Sequence, residues 1–293
     1  MTLPSADPNA LGRGPDGRLP PLEDPSERVI VPAKRRLKLR HLPRQWEVVR
    51  VLAARDFKLK YQQSLLGPLW LIFQPLALLG AFLVAFKGLG NVRTSNEPYV
   101  VFTLVGLSVW SFFQASMTIG TASVITNLNY VRYTPCPRPA FPLAATLASL
   151  PSCAVVALAA IVGAVVTGHL SPRIVLLPIG LVWLFVLTAG VVGISAALAV
   201  RYRDVIQALP FLLQVGVFVV PVGYSLAGLS PVVRTIVELN PLTGLIEAWR
   251  WMILACYDPR LAPIAISLAL TGALAIAGWR IFSRLETTMA DEI

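Results

Sequence analysis

Six long stretches without Asp, Glu, Lys or Arg limit what this chain can fold into. They are residues 61–86, 98–131, 139–172, 174–200, 205–233 and 261–279. Each is long enough to cross a bilayer as a helix, which takes roughly 20 mostly apolar residues. Because 56% of the residues are hydrophobic and only 14% are charged, we predict an all-α integral membrane protein. Its six transmembrane helices are expected at about 65–87, 99–124, 140–167, 174–200, 205–227 and 260–281.

A short basic segment leads into the first of these stretches. Between residues 44 and 62, apolar side chains recur at helical spacing, at Trp46, Val49, Leu52 or Ala53, and Phe57. The charges flanking them are those of Arg55, Asp56, Lys58 and Lys60. Such a segment is typical of a helix that lies along the membrane surface before the chain enters the bilayer. We therefore predict an amphipathic surface helix over residues 44–62.

The first 43 residues differ from the rest of the chain. They are rich in proline, glycine and charge and contain no apolar run typical of a cleavable signal peptide. We expect residues 1–43 to be a disordered cytoplasmic tail and residues 44–293 to form one membrane domain. The basic run at 34–40 either contacts anionic lipid or a partner, or is a solvated cluster that sets topology.

The positions of the basic residues explain the formal net charge of +10. A basic excess is found in nucleic-acid-binding proteins, but here the charges cluster at the edges of apolar stretches, as the positive-inside bias requires. With six spans and both termini inside, 19 of the 25 Lys and Arg residues fall on the inner side. We predict an inner-membrane protein with cytoplasmic termini and no nucleic-acid partner.

Charged residues return between the fifth and sixth stretches, in residues 234–260. Asn240–Pro241 divides this segment into two parts, and neither part is apolar enough to span a membrane. We predict two short helices that enter the outer boundary of the membrane and return as a re-entrant hairpin. A full crossing here would place Arg280 and Arg284 outside, against the positive-inside bias.

The sequence does not indicate a reaction of its own. The six stretches contain no acidic or basic residue for ion coupling, and the chain has no Gly-Lys-Ser or Gly-Lys-Thr of a Walker A motif. Its three cysteines and two histidines lack metal-ligand spacing. We therefore expect no catalytic or metal site in this chain, and if the protein moves a substrate uphill, a separate subunit supplies the energy.

Two alternatives come from other classes of protein. One is a scaffold protein, and the other is a membrane enzyme. The acidic residues available to an enzyme form no recognisable motif; they are Asp56, Asp204, Glu238, Glu247 and Asp258. Neutral polar residues in the stretches either join helices or contact substrate; they include Gln74, Gln114, Asn127 and Gln214. The connector at 126–139, with three prolines, is either a rigid docking element or an ordinary loop.

Several segments, taken in order, resemble the membrane subunits of ABC-2 type exporters. They are RDFKLKY from Arg55, LGPLW from Leu66, QP from Gln74, Gly106–Leu107 with Trp110 and Phe112–Phe113, the connector through Pro142, RYRD from Arg201, the Pro221 region, LNPLT from Leu239, and the end from Ile281 to Asp291. The resemblance covers residues 45–293. It is greatest to the exporters of O-antigen, teichoic acid and mycobacterial-type galactan.

The resemblance implies a homodimer of this chain with two copies of a cytoplasmic ABC ATPase. ATP and Mg would be bound by that partner, and no cofactor by this chain. The implied substrate is a polyprenyl-diphosphate-linked polysaccharide that moves outward along a path lined by the first, second and fifth spans. The alternative is an ABC-2 drug or lipid exporter. The implied ATPase-coupling residues are Arg55, Asp56, Lys58, Asn129, Tyr130, Arg132 and Tyr133.

The resemblance also directs attention to aromatic and gate residues. The aromatic residues either stack on sugars along the path or anchor the chain at the membrane interface; they are Trp70, Phe73, Trp110, Phe112, Phe113 and Tyr224. The hairpin would form the outer gate, with Asn240, Pro241, Glu247 and Arg250. The last two, three residues apart, either pair along the helix or seal the gate. One departure is that the family's Phe-Pro pair is shifted here to Phe141–Pro142, after additional prolines.

Overall fold

A computed structural model describes residues 42–62, 64–89, 98–127 and 138–292 of the chain. Within these ranges the protein is all-helical, as predicted, apart from turns and one isolated β-bridge. The ten α-helices of the described part are α1 (Leu42–Tyr61), α2 (Trp70–Phe82), α3 (Tyr99–Thr126), α4 (Ala140–Ala148), α5 (Leu150–Val166), α6 (Leu177–Arg201), α7 (Asp204–Val219), α8 (Pro231–Glu238), α9 (Pro241–Ile253) and α10 (Leu261–Glu292). The predicted tail at 1–43 lies almost wholly outside the described residues.

Five helical segments among the described residues are long and apolar enough to cross a membrane. They are Gly67–Phe86, Tyr99–Thr126, Ala140–Val166, Pro172–Arg201 and Leu261–Arg284. Two of them, Gly67–Phe86 and Pro172–Arg201, include short turns of another helical type that extend the α-helices, and in Ala140–Val166 a turn at Ser149 joins two α-helices. These segments correspond to the first four and the sixth of the predicted spans.

The fifth predicted span, at 205–227, is only partly helical. α7 has 16 residues, about 24 Å at 1.5 Å per residue, which is less than a hydrocarbon core of about 30 Å. It ends at Val219 because Pro221 has no backbone N–H and the residue before a proline is driven to extended geometry. Val220 accordingly has a ψ of 136°. The prediction of six transmembrane helices therefore stays a prediction.

α3 is the central helix of the fold. Every side chain from Val101 to Trp110 is buried, and a helix that is apolar on all sides is expected to be enclosed by others. α4, α5, α6 and α9 pack against it, and α2 and α7 also contact it. α3 therefore forms the core on which the peripheral helices are placed.

α6 and α10 cross at small residues. A Cβ built on Gly190 of α6 would lie 2.9 Å from the carbonyl oxygen of Leu274 in α10. Gly278 of α10 faces the backbone of Gly190 equally closely. Glycines at such a crossing allow two helix backbones to pack directly, as in many membrane proteins.

α1 lies at the end of the fold where α3 ends. Its Val49 and Ala53 pack on Ala140 and Ala144 of α4. Trp46, which the sequence places on the same face, is 48% exposed and lies outside this cluster. The apolar face of α1 therefore packs against α4 of the same chain. This face is shorter than predicted, because it does not include Trp46.

The opposite end is closed by paired loops. Leu170 and Leu254 form the isolated antiparallel bridge, and Arg260 bonds Glu238 over 2.8 Å. The predicted hairpin region lies at this end as two short helices, α8 and α9, separated at Asn240. Their re-entry into a membrane stays a prediction.

Candidate functional site

Two of the predicted coupling residues lie where α1 meets the end of α3. Arg55 Nη2 donates to Asp56 Oδ1 over 2.7 Å and to Asn127 Oδ1 over 2.6 Å. Asn127 directly follows α3, and its Nδ2 donates to the carbonyl oxygen of Ser123 over 2.8 Å. Arg55 thus ties the predicted surface helix to the point where α3 ends and the connector begins.

This contact positions the helices more than it stabilises them. The side chains of Arg55 and Asp56 are 27% and 11% exposed, and partly solvated ion pairs contribute up to about 1 kcal/mol. Lys58 is exposed in the last turn of α1. The remaining predicted coupling residues lie outside the described residues; they are Asn129, Tyr130, Arg132 and Tyr133. Their role stays a prediction.

Two predicted path aromatics lie on the outside of the chain. Trp70 and Phe73, in the first turn of α2, are 39% and 61% exposed. Their rings meet edge to face with centroids 5.9 Å apart, a favourable arrangement for aromatic pairs. This exposed pair is free of the chain's own core and suits either a sugar-stacking or an interfacial role.

The other predicted path aromatics are held by the protein. Phe112 has no exposed surface and Trp110 is 3% exposed, so in this conformation both belong to the core. Phe113 is partly buried beside Trp110, with ring centroids 5.9 Å apart. The Tyr224 hydroxyl donates to the carbonyl oxygen of Val219 over 2.9 Å, so this side chain caps the end of α7.

The backbone break after α7 is buried, and this sets it apart from an ordinary loop. Buried peptide groups that leave a helix need other hydrogen-bond partners, and at membrane depth such backbone requires cover from protein or a cavity. The carbonyl oxygens of Pro221 and Val222 both accept from Nη2 of Arg250, over 2.7 and 2.8 Å. The Tyr99 hydroxyl donates to the carbonyl oxygen of Gly223 over 2.9 Å. Side chains from α9 and α3 therefore replace the missing helical hydrogen bonds.

The break also approaches α3 closely. A Cβ built on Gly106 would lie 2.7 Å from the carbonyl oxygen of Val222. Only glycine leaves room there for the backbone, since any Cβ would displace the segment. The break is therefore enclosed between Gly106 of α3 on one side and Arg250 of α9 on the other.

Arg250 is the central group of this arrangement, and it is fully buried. Glu247, 2% exposed, balances its charge at 3.5 Å. The Phe102 ring lies 3.5 Å from the Arg250 Cζ atom, an arrangement in which the ring face attracts the cation. A buried charge is costly unless it is paired and hydrogen-bonded. Glu247 and Arg250 thus pair inside the protein, and their role in sealing a gate stays a prediction.

Tyr257 completes the group by holding the carboxylate. Its hydroxyl donates to Glu247 Oε1 over 2.6 Å, as short as charge-assisted O–H···O bonds are. Burial raises the pKa of Tyr257 well above its ordinary value, so the hydroxyl stays protonated and donates. We call Arg250, Glu247 and Tyr257 the buried triad.

The other predicted gate residues begin α9. Asn240 Oδ1 accepts from the backbone N–H of Leu242 over 3.0 Å, the arrangement of an N-cap. Pro241 is the first residue of the helix, where a missing N–H costs nothing, and its carbonyl oxygen accepts from the Ser267 hydroxyl of α10. These two residues fix where α9 starts and how it joins α10.

Sequence reasoning missed three residues of this site, Tyr99, Phe102 and Tyr257. Glu247 and Arg250 inside an otherwise apolar helix signal that polar partners lie close by, but they do not identify them. Tyr257 lies ten residues after Glu247 in a loop, and Tyr99 is more than a hundred residues before its partner Gly223. No local spacing connects residues so far apart.

Among the residues that the structure describes, no group of three or more His, Cys, Asp or Glu side chains is placed to hold a metal ion. The candidate sites consist of two sets of contacts between helices. One set links α1 to the end of α3, where the connector begins. In the other, the buried triad holds the backbone break after α7.

The long apolar helices define a multi-pass membrane protein. Residues 47–254 match the sequence model of the ABC-2 type transporter family, and the chain belongs to that family. It is 27% identical over 255 residues to an O-antigen export system permease protein RfbA of Klebsiella pneumoniae, covering 84% of this chain and 95% of that protein. It is 24% identical over 251 residues to the protein of the same name in Myxococcus xanthus, covering 83% and 94%. The resemblance drawn from the sequence is thus confirmed.

Proposed function

We propose that this chain is the permease subunit of an ATP-driven exporter of polyprenyl-diphosphate-linked polysaccharide. The polysaccharide, of the O-antigen, teichoic acid or galactan type, moves from the cytoplasmic to the outer side of the inner membrane. The observation that carries this proposal is the similarity, over 94–95% of their length, to O-antigen export permeases from two organisms. Similarity of that extent covers most of the chain rather than one shared motif.

The proposed assembly is a homodimer of this chain with two copies of a cytoplasmic ATPase. The ATPase binds ATP and Mg and supplies the energy. α1, the end of α3 and the connector form the surface that receives it, with Arg55 between them. The basic residues of the N-terminal region and of the short inner loops support cytoplasmic termini and six spans. The fifth span would then consist of α7 and the backbone break that follows it.

The exposed aromatic residues support a path along α2 and α7. α3, the second span, is mostly buried in its own chain, so it offers little surface to a substrate. Trp70 and Phe73 on α2 and Phe211 and Phe218 on α7 are exposed. Aromatic faces bind sugar rings without requiring one sugar sequence, which suits a polymer. We therefore assign the path to α2 and α7, with α8 and α9 as its outer gate.

The test is depletion of this protein in its native cell, followed by mass spectrometry of the lipid extract. The proposal predicts accumulation of a polyprenyl-diphosphate-linked glycan that membrane-impermeant oxidants do not reach in intact spheroplasts. Re-expression of the intact chain should clear the accumulated lipid. If no glycan-linked lipid accumulates, the polysaccharide assignment is wrong, and an ABC-2 drug or lipid exporter becomes the better assignment.

A further inference from the structure

α7 is held differently along its length and beyond its C-terminal end. Along the helix, only Leu209, Leu213 and Val217 are buried, and most other side chains are exposed. Beyond its C-terminal end, residues 220–223 are all buried. They are also bonded to Arg250 and Tyr99. The helix is therefore fixed at one end and loosely packed along its length.

A groove lies next to α7. The groove, of about 560 Å³, opens beside α7, and Trp110, Phe113, Met117, Leu187 and Val191 of α3 and α6 line its other side. α7 still touches α3 at Gly216, which lies against Trp110. α3, in contrast, is mostly buried within the chain, and α6 packs directly on α10. A helix with a groove behind it has room to move without displacing the packed core.

The fixed end is built so that it does not release easily. Arg250 contributes one nitrogen to two carbonyl oxygens, and its charge is balanced by Glu247 in a site without solvent. If the carbonyl oxygens moved away, the buried guanidinium would keep N–H donors without acceptors. The free-energy cost of these unpaired donors would not be offset by other contacts. The contact therefore persists while more weakly held parts of the chain change position.

We propose that the segment Pro221–Gly223, clamped by the buried triad, is a fixed pivot about which α7 swings toward and away from the groove. Arg250 is the clamp, and Glu247 and Tyr257 are positioning residues that hold its guanidinium in place. The pivot deepens the proposed function, since it names the moving wall of the path. Its geometry does not depend on which substrate is carried.

The test is the width of two distance distributions in the full chain in lipid nanodiscs, measured by double electron–electron resonance. The three native cysteines are replaced, and spin labels are placed in two pairs: Gln207→Cys with Leu268→Cys, and Phe218→Cys with Leu268→Cys. All three positions are exposed. Labelled chains are diluted with unlabelled ones so that distances between copies do not contribute. A pivot predicts a broad distance distribution for the pair labelled at 207 and 268, and a narrow one for the pair labelled at 218 and 268.

The Arg250→Gln variant should broaden the 218 distribution to the width of the 207 distribution. Arg234→Gln is the matched control, because Arg234 also donates to backbone carbonyls, those of Leu226, Ala227 and Leu229, but outside the break. It should leave both widths unchanged. Equal widths in the intact chain, or an unchanged 218 width in Arg250→Gln, would overturn the pivot.

A milder variant keeps the test decisive if Arg250→Gln does not fold. Tyr257→Phe removes only the bond to Glu247 and should broaden the 218 distribution partially; an unchanged width in that variant also contradicts the proposal. No ATPase or substrate is present in the measurement. A negative depletion experiment would therefore reject the polysaccharide assignment without affecting the pivot. A negative distance result would reject the pivot without affecting the polysaccharide assignment.

Discussion

Alanine at Gly278 should weaken the packing of α6 on α10, and the effect can be isolated with a second glycine of the same helix. A Cβ at Gly278 would meet the backbone of Gly190, whereas a Cβ at Gly272 would meet no atom within 4 Å. Glycine to alanine in a helix interior gains about 1 kcal/mol of helix propensity at either site. Overpacking at Gly278 costs about 1–3 kcal/mol. The free energy of unfolding of Gly278→Ala should therefore lie about 1–3 kcal/mol below that of Gly272→Ala.

The measurement is unfolding in mixed detergent and SDS micelles, followed by tryptophan fluorescence for both variants and the unchanged chain. Gly272→Ala should be as stable as the unchanged chain or slightly more stable. The comparison uses the same substitution in the same helix, so changes in the unfolded state largely cancel. Equal free energies for the two variants would show that α6 and α10 do not approach as closely as described.

Three further outcomes are expected. Tyr99→Phe removes the donor to the Gly223 carbonyl and should lower the free energy of unfolding by about 1–3 kcal/mol in the same titration; no loss would mean that water or another group satisfies this carbonyl. Arg55→Ala should change stability by less than about 1 kcal/mol but reduce ATP-dependent glycan export in proteoliposomes with the partner ATPase, and unaltered export would contradict the link between α1 and α3. Replacing residues 130–133 with Gly-Ser should abolish stimulated ATP hydrolysis and export while the chain still inserts, as measured by alkaline extraction; normal export would refute the docking assignment.

The long spans were predictable because their signal is local. α3 begins at Tyr99 and ends at Thr126, close to the predicted 99–124. A long stretch without charged residues is enough to predict a helix that is surrounded by lipid and protein. The break at Asn240–Pro241 was also predictable, because capping and proline chemistry act within a few residues. Both features depend only on neighbours in the sequence.

Hydropathy missed the early end of α7, although Pro221 is a local signal, and the buried triad could not be found from neighbours in the sequence. Apolar composition continues past Val219, and hydropathy does not register the missing N–H of Pro221. The broken backbone is tolerable only because Arg250 and Tyr99 arrive from distant parts of the chain. Whether Glu247 and Arg250 face solvent or the interior depends on tertiary packing, which the three-residue spacing does not encode.

The burial of α9 has a consequence for how the protein is made. At the centre of a bilayer, an arginine such as Arg250 costs roughly 2.5–3.5 kcal/mol on insertion scales, so α9 does not enter lipid favourably by itself. Its partners include α10, where Pro263 lies against Gly244 and Ser267 bonds Pro241. Because α10 follows α9 in the sequence, the nascent chain carries a helix with a charged pair that is not fully covered until α10 has been synthesised. Chains interrupted before residue 261 are thus expected to be recognised and degraded by membrane quality-control proteases, even though the four preceding segments that are long enough to span a membrane are already complete.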